Sequence, residues 1–335
     1  MTEKFNKCKK NSRKIVTILL VSLLLTGCET DISVFDNYEI PLSQSSEQDI
    51  SEGTTADNID SEFLSADICV VPKKKQSQKD SFMTAGASLI FDNTHNKMLY
   101  ADNIYTKMYP ASTTKIVTAL VALKYGNLND EVTISYNATH INEYGAKLCG
   151  FAEGDKITLK KLLYSFLICS GNDAGIAIAE HIAGSVDKFA AMMNKEVKAL
   201  GCSGSNFVNP HGLHDDNHYT TPYDLYLVFH ELLKYDVFMD IINHSSYKAE
   251  FNGADGNKKT LWFTSTDKYL LGSAKAPDGV TVIGGKTGTT SMAGSNLILY
   301  SKNSNGNSYI SVVMHASDSF SLYSQMSHLL ELENQ

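Results

Sequence analysis

Ser112 and Lys115 stand three residues apart at the start of an apolar helical pattern, a spacing that sets hydroxyl and amine on one helix face. A serine hydroxyl is a weak nucleophile near neutral pH and needs an adjacent base. A lysine can be that base only where burial and nearby cations hold it uncharged. Lys115 is therefore the candidate base for a Ser112 nucleophile, and Lys286 the candidate cation. Two further clusters offer hydrolytic groups. Ser170-Gly171-Asn172 falls between two helical patterns, where the hydroxyl can relay a proton and the amide can hold a peptide. Gly284-Gly285-Lys286-Thr287-Gly288-Thr289 follows a β-branched run. The missing side chains of such a strand let a substrate backbone come close and pair as an added strand.

Each motif alone is weak. S-x-x-K recurs at Ser185, Ser245 and Ser265, and S-x-N at Ser135 and Ser301. Only Ser112 follows a Tyr-Pro-Ala entry and opens an apolar-striped helix, whose positive end favours developing negative charge. Ser185 reads as a helix cap with a solvated lysine, and Ser245 and Ser265 as structural serines. A plain helix-linking turn competes with the functional reading of Ser170-Gly171-Asn172. His211, His214 and His218 allow a metal reading, but no H-E-x-x-H helix is present, and His230-Glu231 lacks the second histidine.

Together, and in this order, the three motifs resemble those of the penicillin-recognising serine hydrolases. Asn209-Pro210-His211-Gly212-Leu213, His218-Tyr219-Thr220-Thr221 and Asp224 resemble the segment typical of the D-Ala-D-Ala carboxypeptidases among them, the low-molecular-mass penicillin-binding proteins. The resemblance covers roughly Met83 to His315. It implies attack on the terminal peptide carbonyl to give an acyl-Ser112, release of D-Ala, and hydrolysis, with β-lactams trapping the serine. It further implies that Ser112, Lys115 and Ser170 are catalytic. Asn172, Lys286, Thr287, Gly288 and Thr289 would bind substrate, with the backbone N–H groups of Ser112 and Thr289 forming the oxyanion hole. The implied partners are peptidoglycan stem peptides and β-lactams, with no metal and no cofactor. Cys149, Cys169 and the Trp262-Phe263-Thr264 run depart from the family pattern. A class A β-lactamase would need a deacylating glutamate, and no E-x-x-L-N pattern follows Ser170. A non-catalytic sensor that keeps the pocket is the other alternative.

The elements that must position these groups can be read from periodicity. Ala87 to Asp92 and Met98 to Ala101 flank Asn93-Thr94-His95-Asn96 as a hairpin. Helices are expected from about Ser112 to Gly126, Leu159 to Ile168, Asp173 to Ala183, Val186 to Leu200, and from Thr221-Pro222. Strands at Val280 to Gly284, Ser295 to Tyr300 and Tyr309 to His315 precede a closing helix from Asp318 to Leu332. Strands at both ends with helices between predict an α+β fold. In it, one antiparallel sheet is built from both ends of the domain, helices pack on it, and a helical subdomain is inserted. The resemblance makes this the β-lactamase/transpeptidase-like fold.

The two ends of the chain place that domain. Lys4, Lys7, Lys9, Lys10, Arg13 and Lys14 precede an apolar run from Ile15 to Leu25, the order of a secretion signal, and the run is too short to span a bilayer. It ends in Leu25-Thr26-Gly27-Cys28, which resembles the bacterial lipobox. Residues 1–28 are thus expected to be a lipoprotein signal, with Cys28 lipidated and the rest outside the cytoplasm on the cell membrane. From Glu29 to Pro72 there are eleven acidic residues and no Lys or Arg, so 29–82 is read as a flexible acidic linker and 83–335 as the folded domain. Many relatives append a second β-rich domain and a C-terminal anchor; here the lipid on Cys28 is expected to serve instead. The net charge of −8 over 335 residues falls mostly on the linker, and the nearly neutral domain offers nucleic acid no basic surface.

Overall fold

The computed structural model describes Ser77 and residues 80–335 apart from Tyr144. The expectations for residues 1–28, Cys28 included, and for most of 29–82 lie outside the described residues. The described chain opens with β1 (Ala87–Asp92) and β2 (Lys97–Asp102), a 3₁₀ turn (Ala111–Thr114) and α1 (Lys115–Tyr125). β3 (Glu131–Thr133), α2 (Tyr136–Thr139), β4 (Lys156–Thr158), α3 (Leu159–Cys169), α4 (Asn172–Ala183) and α5 (Val186–Ala199) follow. Then come α6 (Pro222–Leu232), α7 (Asp236–Ile242), β5 (Ser246–Asn252) and β6 (Lys258–Thr264). β7 (Val280–Thr290), β8 (Gly294–Asn303), β9 (Ser308–Ala316), α8 (Ser319–Leu330) and a 3₁₀ turn (Glu331–Asn334) complete it.

One five-stranded sheet runs β2-β1-β9-β8-β7, antiparallel throughout, so the first hairpin and the last three strands share a sheet, as the α+β reading predicts. Alternation along the strands sends residues to opposite faces. Ile90, Leu297, Leu299 and Val313 pack with Leu322 and Met326 of α8, whereas Leu89, Phe91, Ile298, Ile310 and Val312 join the larger core built with the other helices. The helices start where capping dictates. Thr158 accepts from Lys161 N, and Thr221 from Asp224 N with Pro222 at the first position. Ser185 caps α5 by accepting from Lys188 N, so this S-x-x-K is structural.

A second sheet, β3-β4-β5-β6, lies within the inserted region and was not foreseen. β3 and β4, with three residues each, are too short to show a period, whereas β5 alternates Tyr247, Ala249 and Phe251 with polar residues, a period-two strand signal that the sequence does carry. β7 runs beyond Gly284 to Thr290 because β8 pairs along its whole length, from Val280 opposite Asn303 to Thr290 opposite Gly294.

The chain's closing turn ties back to the sheet through a buried carboxyl. Glu333 Oε1 accepts from Ser301 Oγ at 2.5 Å, and its backbone oxygen accepts from Asn303 Nδ2 at 2.8 Å. Burial, with Asp92 nearby, pushes this acid up to about 7. The fold therefore prefers the protonated acid, and its stabilisation fades as pH rises from the unfolded value of about 4.3 through about 7. Thermal melts between about pH 5 and about pH 8 should show a drop that Glu333→Gln reduces; equal drops in both proteins would refute this.

Candidate active site

The turn carrying Ser112 is clamped on three sides. Asn296, fully buried on β8, donates from Nδ2 to the carbonyls of Tyr109 and Pro110, each at 3.1 Å, and its Oδ1 accepts from His315 N at 2.7 Å. Ala111 is forced to φ +48°, a left-handed conformation that costs a non-glycine residue about 1 kcal/mol and persists only where surroundings impose it. Gly212, at φ +87°, sits so close that a Cβ there would lie 1.8 Å from Ala111 O. On the other side, a Cβ on Gly288 of β7 would lie 2.9 Å from Ser112 N and 2.7 Å from Pro110 O, so glycine is what lets the strand abut the turn.

Behind the turn, His218 Nε2 donates to Thr114 Oγ1 at 2.7 Å while its Nδ1 accepts from Val208 N at 3.1 Å. Burial lowers this imidazole to about 4, so it stays neutral. Both ring nitrogens are occupied in holding the turn. His211 Nδ1 accepts from Leu213 N at 3.2 Å.

Lys115 begins α1 with its side chain fully buried. Its Nζ lies 2.9 Å from Ser112 Oγ, 2.8 Å from Asn172 Oδ1 and 2.6 Å from the His211 carbonyl; as a neutral amine it donates to the two carbonyls and turns its lone pair to the Ser112 hydroxyl. The Phe166 ring lies 5.6 Å away. Burial, reinforced by the Lys286 cation, holds this amine well below the ordinary lysine range. An uncharged amine facing a serine hydroxyl can accept its proton.

Ser170 closes α3 in the left-handed conformation, φ +66°, and Gly171 leads into Asn172, the first residue of α4. Lys286 of β7 is buried, and Nζ donates to Thr287 O at 3.0 Å. Burial and the Lys147 cation lower it to about 7. Thr287 Oγ1 meets Thr266 Oγ1 at 2.6 Å, and the adjoining buried Asp267 carboxyl is pushed up to about 6 by burial. An open cleft of about 610 Å³ runs over these groups, lined by Ser112, Ser170, Asn172, Thr287, Gly288 and Thr289, with Glu143, Lys147 and Lys268 also on its walls. β7 is the end strand of the sheet.

The structure thus brings Ser112, Lys115 and Asn172 into direct hydrogen bonding, places Ser170, Thr287, Gly288 and Thr289 on the same cleft, and sets Lys286 beneath it. Asn296, Thr266, Lys147 and the His211 carbonyl escaped sequence reasoning. A lone asparagine in a strand, a backbone oxygen and a loop lysine carry no spacing signal. Replacing Asn296 by Ala strands two buried carbonyls and should cost about 2–3 kcal/mol, read as a lower urea midpoint; an unchanged midpoint would remove its role as a clamp.

A family model described as D-alanyl-D-alanine carboxypeptidase matches residues 73–318. The chain is 32% identical over 252 residues to D-alanyl-D-alanine carboxypeptidase DacF of Bacillus subtilis, covering 74% of this chain and 61% of that protein. It is 33% identical over 238 residues to DacA of Haemophilus influenzae, covering 69% of this chain and 57% of that protein. The chain therefore spans about six-tenths of the length of these relatives. The crystal structure of the Streptomyces K15 DD-transpeptidase superposes with a TM-score of 0.70 at 26% identity, covering 77% of this chain and 99% of that one. With the fold, the cleft and these likenesses agreeing, the chain belongs to the D-alanyl-D-alanine carboxypeptidase family.

Proposed function

We propose that this protein is a serine-type D-Ala-D-Ala carboxypeptidase acting on peptidoglycan stem peptides through an acyl-enzyme on Ser112. The observation that carries the reading is the contact of the buried Lys115 amine with Ser112 Oγ at 2.9 Å. In the proposed first step Lys115 takes the serine proton as Oγ attacks the carbonyl of the penultimate D-Ala. The oxyanion accepts hydrogen bonds from the backbone N–H groups of Ser112 and Thr289. The peptide C–N bond then breaks, and the departing D-Ala amine takes up a proton relayed through Lys115 and Ser170. Water hydrolyses the ester in the second step. Asn172 holds the peptide, and the Lys286 cation with the Thr287 hydroxyl receives the terminal carboxylate. β-Lactams, which resemble the dipeptide, acylate the same serine.

The lipidated Cys28, the leader over 1–28, the linker over 29–82 and the catalytic domain over 83–335 complete the proposal, which places the enzyme on the outer face of the cell membrane. A linker with eleven acidic residues and no basic ones between Glu29 and Pro72 supports a reach of tens of Å into the wall.

A fluorescent penicillin should label the protein and a pentapeptide should release D-Ala, and Ser112→Ala should abolish both; labelling that survives the substitution would overturn the assignment. The pH profile carries a second test. Lys115 must be neutral and Lys286 charged, so kcat/KM should rise through the lowered pKa of Lys115 and fall as pH passes about 7, where Lys286 loses its proton. In kcat, which reports the enzyme–substrate complex, the bound carboxylate moves that limb toward higher pH. Lys286→Gln should remove that limb and raise KM roughly 100-fold, and a profile unchanged on the alkaline side would exclude this role. Labelled palmitate should enter the wild-type chain and be absent from Cys28→Ser; a mature protein still carrying residues 1–27 would refute the lipid anchor.

A further inference from the structure

Directly behind the Ser170 turn lie two thiols with no part in the proposed reaction. Cys149 and Cys169 are twenty positions apart in sequence, and their sulfurs stand 3.6 Å apart, in contact. Three hydrogen bonds already fasten the segments that carry them. Asn172 N donates to Lys147 O at 2.7 Å, Cys149 N to Asp173 Oδ1 at 2.8 Å, and Gly150 N to Asp173 Oδ2 at 2.9 Å. Gly171 completes the fit, because a Cβ there would lie 2.4 Å from Cys149 Sγ. A disulfide needs the sulfurs at about 2.05 Å, so bond formation asks for an approach of roughly 1.6 Å from the present contact.

We infer that Cys149 and Cys169 form a disulfide behind the Ser170 turn when the protein meets a disulfide-bearing oxidant. Cys169 is the attacking thiol. The shared S–H of Cys149 and the facing Lys147 and Lys286 cations hold it below the ordinary thiol range, whereas burial pushes Cys149 well above it. Each residue keeps a sliver of accessible surface, 6% at Cys169 and 9% at Cys149, and Leu148 next to Cys149 is exposed. With oxidised glutathione, the Cys169 thiolate attacks one sulfur and releases one glutathione thiolate. Cys149 then gives up its proton to water and attacks Cys169 Sγ, releasing the second. Two protein thiols are oxidised, and one glutathione disulfide is reduced to two thiols.

The bond would staple the turn that carries Ser170 and Asn172 to the loop that carries Lys147, fixing two walls of the cleft to each other. Cys202 is a built-in control, because its sulfur is occupied elsewhere, 3.6 Å from Asp224 O.

The test is non-reducing peptide mapping of the full-length protein after incubation with oxidised glutathione and alkylation. A peptide linking Cys149 to Cys169, two hydrogens lighter than its reduced parts, with Cys202 alkylated, is expected. Glutathione retained on Cys169, or both thiols alkylated while the urea-unfolded chain oxidises, would overturn the inference. The cross-linked protein should melt at a higher temperature than the reduced one, and a lower melting temperature would show that the native geometry does not suit the bond. Cys149→Ser should trap glutathione on Cys169, and a Cys169 left free there would refute its role as attacking thiol. None of these readings requires Ser112 to react, so they stand apart from the outcome of penicillin labelling.

Discussion

A buried lysine denied its charge is the constraint around which this domain is built. Moving an ammonium out of water is costly; for Lys286, held at about 7, keeping the proton inside the protein costs on the order of 5 kcal/mol relative to water. For Lys115 the protein supplies three oxygens around the amine, from Ser112, Asn172 and His211, which satisfy its hydrogen-bonding geometry without offering a carboxylate. A directly paired carboxylate would have restored the charge and removed the proposed base. The carboxylate that acts on it, Asp173, is instead occupied with the backbone N–H groups of Cys149, Gly150 and Ala174.

That requirement explains why the site draws on so many separate segments. Lys115 comes from α1, Asn172 from the start of α4, the His211 carbonyl from the loop before α6, and Lys286 from β7. Each is placed by a local device: the Asn296 clamp, the left-handed Ser170, the close approach of Gly212 and the bare edge at Gly288. Ala111 bears the strain of bringing them together. Such strain at the residue preceding the proposed nucleophile fits a site shaped by its surroundings rather than by its own backbone preference.

Much of this was legible in the sequence because the groups that carry chemistry sit at element boundaries, where short-range rules are strong. Pro110 and the apolar stripe of α1 marked the Ser112 helix, although the chain enters it through a 3₁₀ turn because Tyr109 and Pro110 are held from β8. The Thr158, Ser185 and Thr221 caps fixed three helix starts within a residue. What sequence patterns did not carry were the non-local partners. β5 did carry a strand period in Tyr247, Ala249 and Phe251, β6 blurs its own with the run Leu261-Trp262-Phe263, and Asn296 escaped because its value lies in two carbonyls nearly 190 residues away.

The five-stranded sheet also sets an order of events. β1 joins the sheet through β9, and β7 reaches the Ser112 turn only once β8 and β9 have paired, so a hydroxyl placed in the first half of the chain has no neighbouring cation until nearly all of it is available. Long-range pairing of this kind is slow to form, because the loop must close before any contact rewards it. A chain whose last strands have not paired therefore lacks the strand that carries Lys286 past the Ser112 turn.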